Sequence, residues 1–225
     1  MSTFIVMLTN NDITVTECLE VYDEIKDAEV EWVGFKDKNA TEEKLRVLVD
    51  AIHRDGRKAV LEVVSETVRE ELSSLAMARS LGVDMVMGGT HVDRALPALA
   101  GSGLPYYPFP GQVVSHPSIL AGSLEDIVGS ARDLSMLDGV HGLDLLAYRW
   151  NGGQVADLIA KVVAASQVPV VVAGSIADAG QIATVSAAGA WAFTVGSALF
   201  EQRFVPGGSL RAQVDAVCAA AGPGS

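Results

Sequence analysis

Cysteine is scarce in this chain, with only Cys18 and Cys218 among 225 residues. Buried free thiols in a reducing cytoplasm are therefore the expectation. Basic charge is in deficit: 16 Lys and Arg stand against 28 Asp and Glu, a net charge of −12. That sign argues against non-specific binding to nucleic acid or to an anionic membrane surface. No apolar run reaches the roughly 20 residues of a membrane span. The opening MSTFIVMLTN has no basic residue ahead of its apolar run, so it reads as a first strand, not a signal peptide. Low-complexity segments and inter-domain linkers are also missing. One cytoplasmic domain over residues 1–225 is expected, with the terminal GPGS as a frayed end.

Apolar residues are plentiful, at 49% of the chain, enough to fill a large core. They alternate between short buried runs and helical stripes. Strands are predicted over Phe4–Leu8, Val30–Phe35, Ala59–Val64, Val83–Met87, Leu104–Phe109, Gly142–Tyr148, Val168–Ala173 and Ala190–Val195. Helices are predicted over Thr16–Ala28, from a Thr41 cap to Gly56, from a Ser65 cap to about Leu81, and weakly over Val92–Ala100, where Pro97 interrupts. Further helices follow over Leu124–Met136, Gln154–Ser166, Asp178–Ala188 and Leu210–Ala221, with a short one beginning at Ala198. Pro105 and Pro108 each remove a ladder donor, so the fifth strand should be short or irregular. The loop after it, Gly111–Pro117, is long. A flavodoxin-like open sheet needs about five such strand–helix units. Eight point to an α/β fold of another kind, a single (β/α)8 TIM barrel whose eight parallel strands leave no internal edge. First and last helices are neighbours in that fold, which leaves a Cys18–Cys218 bridge open.

The stretch with the sharpest functional pattern is Val168–Phe204. Gly174-Ser175 ends one buried strand there, and Gly196-Ser197 ends the next. Two glycine turns at the C-terminal ends of neighbouring strands, with a helix start beside them, aim backbone N–H groups at one spot suited to a phosphate dianion. Gly152 and Gly153, next in line, could add further donors. In these turns the chain resembles the phosphate-binding (β/α)8 barrels, which hold a phosphate between the loops after strands 7 and 8 and a short extra helix. It is most similar in look to sugar-phosphate isomerases and epimerases, such as the N-acetylmannosamine-6-phosphate epimerases and the histidine- and tryptophan-pathway barrels. The resemblance is sharp over the last quarter of the chain and architectural before it. Many members carry Gly-Gly or Glu-Gly after strand 7, where this chain has Ala173-Gly174-Ser175. The backbone cradle survives that difference, but no specific family follows.

Active sites of such barrels lie at the C-terminal ends of the strands. Alternation along each strand selects which of those residues face the centre. Glu62, inside the apolar run AVLEVV, is a candidate acid–base group, because burial raises a carboxyl towards neutrality. Lys36 could stabilise an enolate, transfer a proton or form a Schiff base. The alternative for both is a structural ion pair between neighbouring strands. Asp144 is the second acid–base candidate, or else a hydrogen-bonded core carboxylate. Arg149 could grip a phosphate or a substrate carboxylate; Asn10, His91 and His116 are candidate substrate contacts. His91, Asp93 and His116 lack tight ligand spacing, so no metal is assigned. The run FPGQVVSHPS faintly resembles a segment of keto-deoxy-phosphogluconate aldolases, whose lysine on the following strand is missing here, where Tyr148-Arg149 stand.

The expected function is a cofactor-independent isomerase or epimerase acting on a phosphorylated sugar, or a similar small phosphate ester, through an enol(ate). An aldolase or lyase on the same phosphate handle is the alternative, as is a barrel binding FMN or another ligand. No cofactor is called for, with FMN and a divalent metal left open. The partner expected is a small phosphorylated substrate, with a homo-oligomer left open.

Overall fold

The computed structural model describes residues 1–222; Pro223–Ser225, most of the end read as frayed, lie outside the described residues. Eight parallel strands form the centre: β1 (Thr3–Met7), β2 (Trp32–Lys36), β3 (Lys58–Val63), β4 (Met85–Gly88), β5 (Tyr106–Tyr107), β6 (Leu143–Leu145), β7 (Val170–Val172) and β8 (Ala192–Val195). Their order is β6-β7-β8-β1-β2-β3-β4-β5. The remaining seam between β5 and β6 is bridged by His141 N–H to Tyr106 O at 2.9 Å and Asp144 N–H to Pro108 O at 3.0 Å. The sheet is thus a nearly closed barrel.

Around it lie α1 (Cys18–Ile25), α2 (Glu42–Arg54), α3 (Val68–Leu81), α4 (Val92–Leu99), α5 (Leu124–Ser135), α6 (Val155–Ala165), α7 (Ala179–Ala187), the short α8 (Ser197–Phe200) and α9 (Leu210–Ala221). The stripe Leu45, Leu48, Val49 and Ile52 of α2 is buried, as its spacing requires. Thr41 caps α2 by accepting from the Lys44 N–H. The α3 cap is Thr67, not Ser65, whose hydroxyl instead donates to Asp37. α4 forms across Pro97.

Strand five, expected over Leu104–Phe109, is confined to Tyr106–Tyr107, because the flanking Pro105 and Pro108 have no N–H to give the ladder. Strand six, expected as far as Tyr148, stops at Leu145 and passes into a 3₁₀ turn over Ala147–Arg149. The loop after β5 folds as a hairpin pairing Gln112–Val114 with Ile119–Ala121. Another hairpin, the first in chain order, follows β1 and pairs Thr9–Asn10 with Ile13–Thr14.

Two apolar layers result. The larger lies between strands and helices and includes Phe4, Phe35, Leu61, Val86 and Phe193. The smaller fills the barrel with Ile5, Met7, Val60, Met85, Met87, Tyr107, Val171 and Ala192. Trp32 and Trp191 pack edge-to-face at 5.8 Å against this inner layer, near the N-terminal ends of their strands. The wall opposite Tyr107 must be bare, since a Cβ on Gly142 would lie 1.9 Å from its ring. Gly142→Ala is expected to lower unfolding free energy by about 1–3 kcal/mol or more through overpacking, read by urea denaturation.

Cys18 and Cys218 are free. Burial pushes the Cys218 thiol up to about 11. Among the described residues no helix is long and apolar enough to cross a membrane.

Candidate active site

Register brings the inward charges together. Lys36 on β2 is the Cα partner of Glu62 on β3, and Lys36 Nζ lies 3.2 Å from Glu62 Oε1. A third charge arrives from a turn that sequence reading left as plain loop. Asn11 and Asp12, with φ of 49° and 68°, form the two-residue tip of the first hairpin. Both central residues of a type I′ turn need this left-handed backbone, which Asn and Asp tolerate. The turn directs the Asp12 carboxylate into the barrel mouth, where Oδ1 accepts a hydrogen bond from Lys36 Nζ and forms an ion pair with Arg149 Nη1 at 2.9 Å. Asp12 Oδ2 accepts from the Ser118 N–H at 2.9 Å and from Ser118 Oγ at 3.0 Å. His116 Nδ1 lies 3.6 Å away. The hairpin after β5 is thereby held across the mouth, and Arg149 Nη1 also donates to Ser118 O at 3.1 Å.

Asp144, on β6, is fully buried, and neither of its carboxyl oxygens has a hydrogen-bond partner. Among the described residues nothing offers it a hydrogen bond.

The four charged groups settle into different states. For Asp12 burial acts upward, but Lys36 and Arg149 outweigh it and hold the carboxyl well below the usual range. Burial acts downward on Lys36, yet the Glu62 and Asp12 carboxylates push its ammonium above its ordinary value. Burial raises Glu62, with Lys36 offsetting this only in part. Burial, then the neighbouring Glu62, raises Asp144 well above the carboxylate range. The site therefore holds a firm Asp12–Lys36 ion pair beside two carboxyls raised above their ordinary range. Removing the cation would strand the anions. Lys36→Met is expected to destabilise the fold by about 3–5 kcal/mol. Urea unfolding of that variant, against the triple variant with Asp12→Asn and Glu62→Gln, checks this; the triple variant should recover much of the loss.

Beside this cluster lie the two glycine turns. Gly174 has φ +85°, and a Cβ there would lie 2.8 Å from Arg149 Cγ, so the turn rests directly on the arginine. A Cβ on Gly196 would come within 2.6 Å of Thr9 Oγ1. Ser197 Oγ accepts from the Asn11 N–H at 3.0 Å, joining this turn to the first hairpin. The backbone N–H groups of Gly174, Ser175 and Gly196 donate to no described residue.

A cavity of about 50 Å³ connects the two halves, lined by Asp12, Lys36, Glu62, Arg149, Thr194 and both turns, Gly174-Ser175 and Gly196-Ser197. Asp144 is not among the residues that line it. An outer cleft of about 610 Å³ shares Asp12, Arg149, Ser175 and Ser197 with it and adds Asn11, Ile119 and Tyr148.

Lys36, Glu62, Arg149, Gly174, Ser175, Gly196 and Ser197 thus converge as expected from sequence, and His116 reaches the rim. Asn10 lines neither cavity; its neighbours Asn11 and Asp12 do. His91 is also absent from both, its Nδ1 lying 2.8 Å from buried Glu71 beneath α4. Gly152 and Gly153 pack over the Trp150 ring, where a Cβ would lie 2.6 and 3.1 Å away. Asp12, Ser118 and Thr194 were not anticipated as site residues. Among the described residues no group of three His, Cys, Asp or Glu side chains is placed to hold a metal ion.

No protein-family model and no curated protein sequence matches the chain. Solved structures do. A chain of the open form of tryptophan synthase from M. tuberculosis superposes with a TM-score of 0.68 at 15% identity, covering 98% of this chain and 92% of that one. A native KDPGal structure gives 0.66 at 16% identity, covering 96% and 93%. A chain of the Amycolatopsis orientalis BexX/CysO complex gives 0.63 at 18% identity, covering 98% and 88%. With the nearly closed ring of eight parallel strands, these likenesses establish the architecture: the chain is a (β/α)8 barrel.

Proposed function

We propose that this barrel is a cofactor-independent isomerase or epimerase acting on a phosphorylated sugar or a similar small phosphate ester through an enol(ate) intermediate. The observation that carries the reading is the adjacency of a buried Lys36–Glu62 pair to two glycine turns whose backbone donors are unused. The phosphate would bind Gly174, Ser175, Gly196 and Ser197, with Arg149 beside it. Held there, remote from the reacting carbon, it positions the rest of the substrate by binding energy. The substrate carbonyl oxygen would face the Lys36 ammonium. Glu62 would take the proton from the adjacent carbon; the C–H electron pair becomes the C=C bond, and the carbonyl oxygen becomes an oxyanion beside Lys36. Asp144, raised well above the carboxylate range by burial and by Glu62, would return a proton. β3 and β6 are three strands apart in the barrel, so the two carboxyls come from different sides of it. Return to the same carbon from the other face gives epimerisation; return one atom along gives isomerisation.

The test is proton exchange in D₂O with a panel of pentose and hexose phosphates, followed by NMR. Deuterium appearing at the carbon next to the carbonyl, and missing with Glu62→Gln, is the expected outcome. Ligands that bind without any exchange would sink the enolate reading.

A lyase on the same phosphate handle draws on the same enolate, and the buried lysine at the barrel mouth favours weighing it. Schiff-base chemistry needs a neutral amine, whereas Lys36 is held as ammonium by two carboxylates. Borohydride reduction that fixes a carbonyl substrate onto Lys36 of the native protein would reverse that preference.

A further inference from the structure

We propose that Asp12 is a positioning residue of this site, its carboxylate fixing the Lys36 ammonium, the Arg149 guanidinium and the hairpin after β5 around the inner chamber. This rests on the reading of Lys36 as the cation facing the oxyanion. The hydrogen-bond inventory separates Asp12 from the acid–base groups. A carboxylate offers about four lone-pair sites, and Asp12 is engaged at both oxygens: Oδ1 by a hydrogen bond from Lys36 and the ion pair with Arg149, Oδ2 by the Ser118 N–H and Oγ. Its two cationic neighbours also hold it ionised, which makes it a poor acceptor for a substrate proton. Glu62 is engaged by Lys36 alone and Asp144 by nothing, so those two keep capacity for proton transfer. Asp12 acts through its partners.

These partners come from separate parts of the chain. Lys36 ends β2, Arg149 follows β6, and Ser118 lies on the second hairpin. Through the next residue in the turn, the Asn11 N–H also reaches Ser197 in the phosphate turn. One two-residue tip therefore ties the cation, the anion cradle and the covering hairpin together.

Electrostatics give this a distinct signature. Lys36 faces Asp12 from the first hairpin, Glu62 from β3, Asp144 from β6 and Arg149 from beyond β6; His116 faces Asp12 from the second hairpin. Neutralising Asp12 leaves Lys36 with Glu62 as its close anionic partner and with Arg149 still repelling it. Its proton should then leave at lower pH.

Asp12→Asn isolates the charge, because asparagine tolerates the same left-handed turn. The full chain is methylated with formaldehyde and a mild borane reductant across a pH series, and each lysine is quantified by peptide mass spectrometry, with exposed Lys161 as internal reference. Formaldehyde is small enough for the inner chamber and needs no phosphate site, so this result is independent of whether phosphate esters bind. The readout is the midpoint of the pH dependence, because a loosened hairpin alone would raise the rate equally at every pH. Asp12→Asn is expected to lower the Lys36 midpoint by about one pH unit or more, a tenfold change in free amine, with Asp12→Glu returning it towards native. A folded Asp12→Asn protein with an unmoved midpoint overturns the proposal. Should that variant not fold, the native protein decides by ¹³C NMR of its lysine side chains: Lys36 titrating at or below its ordinary value of about 10.4 overturns it, and titration above supports it.

Discussion

Glu62→Gln is expected to lower the rate of substrate proton exchange by about 10²–10⁴-fold, the range for loss of a general acid–base group. The amide keeps the shape of the side chain and can still contact Lys36, but it cannot accept a proton. Lys36 retains its bond to Asp12, and the two glycine turns are untouched. Affinity for a phosphate ester should therefore hold within a factor of a few while kcat falls. Isothermal titration with whichever ester shifts the native protein, set beside NMR exchange rates, separates the two quantities. Parallel loss of affinity and rate would instead make Glu62 a structural half of the ion pair.

The second large effect concerns Asp144 and stability. Its folded-state pKa is raised well above the ordinary carboxylate range by burial and by Glu62. As pH climbs past about 3.9, the unfolded chain gives up this proton and the folded chain keeps it. The folded state then binds more protons than the unfolded, so this group's contribution to stability declines with rising pH until its folded pKa is passed. Asp144→Asn removes the titration. The variant should be indistinguishable from native near pH 3.5 and more stable at pH 7, by about 1.4 kcal/mol for each pH unit over which the folded carboxyl keeps a proton that the unfolded chain has lost. Exchange activity should fall in the same variant. Stability gained as function is lost is the pattern of a strained active-site residue. Urea unfolding of both proteins at the two pH values checks the sign. A variant less stable at pH 7 would mean that Asp144 is ionised and paired.

The barrel was legible in the sequence because eight apolar runs, each closed by a turn and separated by helical stripes, leave few alternatives. Leu210–Ala221 ends where periodicity places it. Lys36 and Glu62 were legible for a related reason: strand parity puts both inward, and adjacent parallel strands put them side by side. Where the local pattern was uninformative, the reading failed. Gly142–Tyr148 is apolar enough to continue as strand, yet the chain turns at Leu146 and presents Arg149 to the mouth. Asn11-Asp12 is not the Asn-Gly or Asp-Gly pair that announces a tight hairpin, so Asp12 passed as loop. Ser118 reaches Asp12 across 106 positions of chain; no periodicity encodes such a contact. His91 sits where barrel logic puts a substrate contact, at the end of β4, but buried Glu71 on α3 takes its ring and the N–H groups of the turn.

The central claim is that the loops after β7 and β8 bind a phosphate group at the entrance to the Lys36–Glu62 chamber. Aspartate at Gly196 would test it poorly, since any Cβ there meets Thr9. Ser175 is exposed, lines both cavities and carries no such constraint. The most direct measurement is a thermal-shift titration with inorganic phosphate and pentose and hexose phosphates, run on native protein and on Ser175→Asp. A shift with phosphate esters in the native protein, abolished in a variant that melts at its ordinary temperature without ligand, is the expected result. No shift with any phosphate, or an equal shift in Ser175→Asp, would contradict the claim.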